Sequence, residues 1–199
     1  MSFEKAAAIP LSAFTALTCL CDLGQVKSEK KVLINGASGG VGTLAVPIAK
    51  SFGAEVTAVC STGNLDLVRS IGADRVIDYT QEDFTQKEVY YDLIFDAVGK
   101  RSFSDSKCAL SSKGIYVTTA FSPTLALLGL WISMTESRKM IPMLPKGPNR
   151  NIRELFEKLL DSGKLTPVID RYYALNEVPE AFRYYEKGHT RGRVVIKIY

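Results

Sequence analysis

The chain has little with which to hold a metal: four cysteines and one histidine in 199 residues. Cys19, Cys21, Cys60 and Cys108 form no Cys-x-x-Cys pair and show no metal-ligand spacing, so they are expected to be buried thiols of a reducing compartment. The cytoplasm is the expected location, and no metal site is expected. Charge of one sign is scarce as well. With 25 basic and 21 acidic residues the net charge is +4, and no basic stripe forms, which speaks against nucleic acid. The N-terminus lacks a basic segment followed by an apolar one, so no signal peptide is expected. The most apolar stretch, "LALLGLWISM" at 125–134, is too short for a bilayer crossing of ~20 residues. It is expected to be a buried helix or an association face, and no membrane partner is expected. No repeat or low-complexity linker occurs. The Pro/Gly-rich "PMLPKGPNR" is the one hinge candidate.

What is present is alternation. Short, nearly continuous β-branched and apolar runs at 31–35, 55–60, 75–79, 92–96 and 114–118 suit strands buried on both faces of a parallel sheet. Segments of helical length lie between them at 40–52, 64–71 and 102–110. A sixth strand is expected near 139–144, at an edge because of Pro142. This pattern predicts a doubly wound α/β domain. Residues 1–27 read as helix interrupted at Pro10. Residues 28–150 hold the α/β unit, and 151–199 read as helix, strand, helix, strand. Pro47 inside the helix after the first strand predicts a kink, at a cost of roughly 3 kcal/mol unless compensated. The aromatics Tyr172, Tyr173, Phe182, Tyr184 and Tyr185 are expected to pack as core.

Between the first strand and its helix stands "INGASGGVG". A glycine turn in that place is a dinucleotide signal. Gly39 and Gly40, lacking a Cβ, would let the backbone approach a pyrophosphate, and Gly42 would let the helix pack closely on the sheet. The free N–H groups and positive end of that helix attract phosphates. Against the pattern G-x-G-x-x-G, Ala37 replaces the first glycine. The second strand ends in Cys60, Ser61, Thr62, Gly63 and Asn64, where an NAD site usually places a carboxylate. Hydroxyls and an amide can instead donate to a 2′-phosphate, with Tyr79 adding a phenol, so NADPH is favoured over NADH.

The motifs "INGASGGVGTLAVPIAK", "VTAVCSTGNLDLVRSIGADRVIDY" and "YDLIFDAVG", with the tail "KLTPVIDRYYALNEVPEAFRYYEKGHTRGRVVIKI", resemble the medium-chain dehydrogenase/reductase superfamily. The resemblance is to its zinc-independent, quinone oxidoreductase-like branch and covers nearly the whole chain. It implies a Rossmann fold with a six-stranded parallel sheet, a helical N-terminal segment and a C-terminal αβαβ remnant of a catalytic lobe. It implies NADPH-dependent hydride transfer to a quinone or enone. Ser38, Gly39, Gly40 and Val41 would face the pyrophosphate, and Ser61, Thr62, Asn64 and Tyr79 the 2′-phosphate. Val98 would lie by the ribose, with Ala120, Phe121 and Thr15 near the nicotinamide. Leu11 stands where zinc-dependent relatives carry a ligand cysteine, and the lysine many members have near Asn64 is missing.

Family members begin with a GroES-like catalytic domain that has no counterpart in this sequence, so a truncated form with impaired catalysis is expected. The alternative is a non-catalytic NADP(H)-binding or dimerisation module. The resemblance also implies a homodimer through the edge strand of the sheet. No catalytic residue is assigned. His189 is expected in a loop, Asp96 as a structural residue, Cys60 as a small buried thiol, and the pairs Glu177/Glu180 and Asp161/Asp170 as surface acids.

Overall fold

A computed structural model describes residues 1–86, 89–144, 147–188 and 190–198. Six parallel strands form the central sheet: β1 (Lys31–Asn35), β2 (Glu55–Cys60), β3 (Arg75–Asp78), β4 (Tyr91–Asp96), β5 (Leu110–Thr118) and β6 (Lys139–Pro142). Their order is β3-β2-β1-β4-β5-β6, so the chain reverses its direction of winding between β1 and β4. Val32, Leu33, Ile34, Leu93, Ile94 and Phe95 are fully buried, as a sheet covered on both faces requires. One face carries α2 (Pro10–Leu17), α3 (Gly42–Ser51) and α4 (Leu65–Ser70); the other carries α5 (Phe103–Lys107) and α6 (Pro123–Thr135).

β1 and β2 fall where the sequence places them, but three details differ. β5 begins at Leu110 rather than Gly114, and α5 is correspondingly short. The register of β5 against β4 shifts between Tyr91 and Leu93, which lets the extra residues join the strand. α3 remains one helix through Pro47. Proline removes the donor to the Thr43 carbonyl, and it is the one residue between Gly42 and Ala49 that is not buried, so its ring sits on the outer side of the helix.

The two ends of the chain join the same core. α1 (Phe3–Ala8) is capped by Ser2, whose hydroxyl accepts from the Lys5 N–H, and it packs on β8 (Arg193–Lys197). α2 continues into a π-helical turn at Thr18–Leu23. Helix α7 (Arg150–Asp161) lies against α2, with the Phe14 and Phe156 rings 4.5 Å apart. By length and composition the 21-residue run Phe3–Leu23 could cross a bilayer, a point the sequence reading passed over. Here Ala13, Ala16, Leu17, Cys19 and Leu20 are fully buried against the sheet and α3, so the run serves as a core helix.

The tail forms a separate parallel pair, β7 (Ile169–Ala174) and β8, backed by α8 (Val178–Glu186). Its aromatics are not core, contrary to expectation. Tyr172, Phe182 and Tyr185 are at least half exposed, because a two-stranded layer with one helix has too little mass to cover them. Among the described residues of the tail, Tyr173 and Tyr184 pair, at 6.4 Å. α6, expected as a buried helix or an association face, is largely exposed. It is apolar nearly all round, yet only Gly129 and Ile132 are buried.

Candidate functional site

At the end of β1 the chain turns at Gly36, with φ +80° and a Cβ position only 2.5 Å from Val98 Cγ2. Gly36 therefore makes the tight turn, one residue before Ala37, where the pattern seeks it. A Cβ on Gly42 would stand 2.2 Å from the Gly36 carbonyl, so α3 begins in contact with the turn that launches it. Gly39 and Gly40 differ in what they face. The nearest atom to a Cβ on Gly39 would be 3.4 Å away, whereas the corresponding place at Gly40 is filled by the Arg193 side chain, with Nε at 2.6 Å. Gly39 is thus the open position. Among the described residues the N–H groups of Gly40 and Val41 find no partner, while the Gly39 N–H is used on the Gly36 carbonyl at 3.1 Å. Free donors at the positive end of α3 make this turn suited to an anion.

Above the turn, Asn64 Nδ2 donates to Ser38 Oγ at 3.2 Å and to Ser61 Oγ at 3.1 Å. Both hydroxyl oxygens accept from the amide, so both hydroxyl protons are available to a ligand. Asn64 is 4% exposed, and its Oδ1 has no partner. A buried acceptor left open costs on the order of 1–3 kcal/mol unless a ligand or water fills it. These residues line a cavity of about 560 Å³ at the carboxyl ends of β1, β2 and β4, together with Gly39, Tyr79 and Val98. The opposite wall is the tail, at Lys187, Gly188 and Thr190. An orphaned acceptor, free hydroxyl protons, unpaired N–H groups and an open glycine together fit a phosphorylated nucleoside.

Thr62 is turned elsewhere. Its hydroxyl donates to Asp78 Oδ2 at 2.5 Å, and Asp78 also takes the Thr80 N–H at 3.0 Å and the Thr80 hydroxyl at 2.7 Å. With its proton spent, Thr62 does not donate into the cavity, which it does not line. The sequence reading missed Asp78. The signal was "VIDY": β3 pairs in parallel with β2, Asp78 opposite Cys60, which sets an acid beside the supposedly acid-free end of β2. The Thr62 hydroxyl, and then Thr80, hold the Asp78 carboxyl below its usual range.

The nicotinamide-end candidates are dispersed. The Thr15 hydroxyl donates to the Leu11 carbonyl within α2 at 2.8 Å. Ala120 touches Gly99 and lines a smaller cavity of about 250 Å³ between α5 and α6, and Phe121 is 46% exposed. Val41 packs against the core under α3. Asp96 is a structural hub at the end of β4, buried, accepting from Asn35 Nδ2 at 2.9 Å, from the Val98 and Gly99 N–H groups and from the Tyr116 hydroxyl at 2.7 Å. His189 lies outside the described residues. Burial pushes the Cys19 and Cys21 thiols up to about 12 and Cys60 up to about 11, so the thiolate is disfavoured at all three. Among the described residues no group of three or more His, Cys, Asp or Glu side chains could hold a metal ion.

A family profile described as "Zinc-binding dehydrogenase" matches residues 71–196. The sequence is 36% identical over 224 residues to "NAD(P)H oxidoreductase RTN4IP1, mitochondrial" of Mus musculus, covering 100% of this chain and 56% of that protein. It is 36% identical over 200 residues to "2-methylene-furan-3-one reductase" of Solanum lycopersicum, covering 98% of this chain and 47% of that protein. The fold superimposes on the quinone oxidoreductase of Coxiella burnetii with a TM-score of 0.87 at 31% identity, covering 100% of this chain and 62% of that one. The chain thus spans about half the length of the curated relatives it matches. Despite the zinc in the family's name, the described donor set does not build a zinc site.

The Thr62–Asp78 bond carries a pH signature. A carboxylate whose folded pKa is depressed contributes stability that is present above its ordinary value of 3.8 and is lost as pH falls through the lower folded value. Thr62→Val should therefore be less stable than the parent at pH 7, with the difference shrinking below pH 3.8 in urea unfolding. A difference unchanged by pH would contradict the assignment.

Proposed function

The chain belongs to the zinc-binding dehydrogenase family of the medium-chain dehydrogenase/reductase superfamily, and on that premise we propose that it binds NADPH at the β1/β4 switch point for hydride transfer to a quinone or enone. One observation carries the reading: the Ser38–Asn64–Ser61 network over a glycine turn with unpaired N–H groups. The turn would hold the pyrophosphate, with Gly39 giving the close approach. Ser61, Asn64 and Tyr79 would surround the adenosine ribose, and Val98 would contact the other ribose. The bound nicotinamide supplies the hydride. What this chain adds is position, since a hydride travels only between well-aligned carbons.

Val98 and Phe121 are each nearly half exposed, which leaves the nicotinamide end wet. Water there weakens electrostatic stabilisation of the developing charge, so turnover is proposed to be slow. The same exposure favours the second reading, a non-catalytic NADP(H)-binding module. Fluorescence titration separates these ideas from failure of both. Saturable binding with NADPH tighter than NADH is expected, with slow oxidation of NADPH by added quinone or enone. Binding without any turnover would leave the module, and no binding of either nucleotide would contradict the cofactor site.

A homodimer through β6 and α6 is also proposed. Leu127, Leu130, Trp131 and Met134 are all more than 60% exposed on α6, beside the free edge of the sheet. A patch of this kind favours association with a second copy. Light scattering should give twice the chain mass, reduced to one chain mass in Trp131→Glu/Met134→Glu. A parent that stays monomeric at high concentration would overturn the dimer.

A further inference from the structure

We infer that Arg191, delivered by the tail and not by the sheet, is the residue that distinguishes NADPH from NADH. The inference rests on the cofactor reading above and names the counter-charge which that reading lacks. The place of the 2′-phosphate is the β2–α4 turn, where Ser61 and Asn64 face the cavity. One flank of that turn is anionic. Thr62 Oγ1 lies 2.5 Å from Asp78, whose carboxyl is held ionised by its three donors. A phosphate brought there meets charge of its own sign, and neutral hydroxyls do not offset it.

The other flank carries a guanidinium. Arg191 Nη2 stands 3.3 Å from where a Cβ on Gly63 would be, so the side chain lies against the turn at the rim of the cavity, which Thr190 lines and Arg191 itself does not. Among the described residues no carboxylate pairs with it. Two neighbouring cations are engaged elsewhere, Arg69 with Asp66 at 3.1 Å and Arg101 with Asp83 at 3.1 Å, while Lys100 lines the cavity beside Val98 on the sheet side. Lys187, in the tail wall of the cavity, and Lys100 are the competing candidates.

The Arg191 backbone is fixed on both sides. Its N–H donates to Asp170 Oδ2 at 3.1 Å, and the same oxygen takes the Tyr184 hydroxyl at 2.7 Å, which ties the segment to α8. The next residue, Gly192, donates to the Ser38 carbonyl at 2.8 Å and bridges to Gly39. Gly192 has φ +83°, and a Cβ there would stand 2.2 Å from the Val168 carbonyl. The tail is therefore latched to the phosphate turn one residue beyond Arg191, while the guanidinium, exposed and unpaired, is free to close on a ligand. Arginine offers a two-pronged donor to phosphate, which a 2′-hydroxyl cannot use as fully.

Calorimetric titration of the whole chain with NADPH, NADH, adenosine 2′,5′-bisphosphate and 5′-AMP tests this. Arg191→Gln, an exposed change, should weaken NADPH and the bisphosphate by roughly 10- to 100-fold while leaving NADH and 5′-AMP within about twofold. Arg191→Lys should fall between. Equal losses for both nucleotides, or no loss in Arg191→Gln with a selective one in Lys187→Gln, would overturn Arg191 as the determinant while leaving the cofactor site intact. Failure of the parent chain to bind NADPH would overturn both.

Discussion

No side chain fits between the Gly36 carbonyl and the first turn of α3, and much of the architecture follows from that contact. With a Cβ on Gly42 only 2.2 Å from that oxygen, glycine alone lets the helix start directly over the end of β1. The close start leaves the N–H groups of Gly40 and Val41 without a partner among the described residues, at the positive end of the helix. It also seats Leu44, Ala45, Ile48 and Ala49 on the apolar face of the strands, where they are buried. Position of the helix and polarity of the site have one cause.

The tail and the N-terminal helices are also bound to this turn. Arg193 lies on Gly40 and donates through Nε to Ser12 Oγ at 2.6 Å, with a second bond from Nη2. Ser12 is fully buried in α2, and burial lowers the Arg193 pKa. Three segments distant in sequence, α2, the glycine turn and the start of β8, therefore meet at a single guanidinium. Gly40, which the motif would give to a pyrophosphate, is in this chain also the place where Arg193 passes. The phosphate turn and the tail form one unit, a constraint that a sheet-centred view of such folds leaves out.

Much of this was legible in the residues. The continuous β-branched runs of β1 and β2 can only be buried strands, and the glycines between β1 and α3 announce the turn. What was not legible depended on contacts across the sequence. The role of Gly36 follows from Val98 pressing on it, and that of Thr62 from the pairing of β2 with β3. The length of β5 follows from a register shift against β4. The exposure of Tyr172, Phe182 and Tyr185 follows from the thinness of the layer they sit on, which apolar content alone does not reveal. α6 left two readings open for a similar reason: a helix apolar all round normally lies inside a protein, and this one borders a free sheet edge.

The central claim is that the glycine turn and the tail together form one nucleotide site. Amide hydrogen exchange with and without NADP⁺ tests it most directly. The account predicts slowed exchange at residues 38–43 and, in the same experiment, at 186–188 and 190–192. Protection confined to the sheet side, with the tail unchanged, would contradict it.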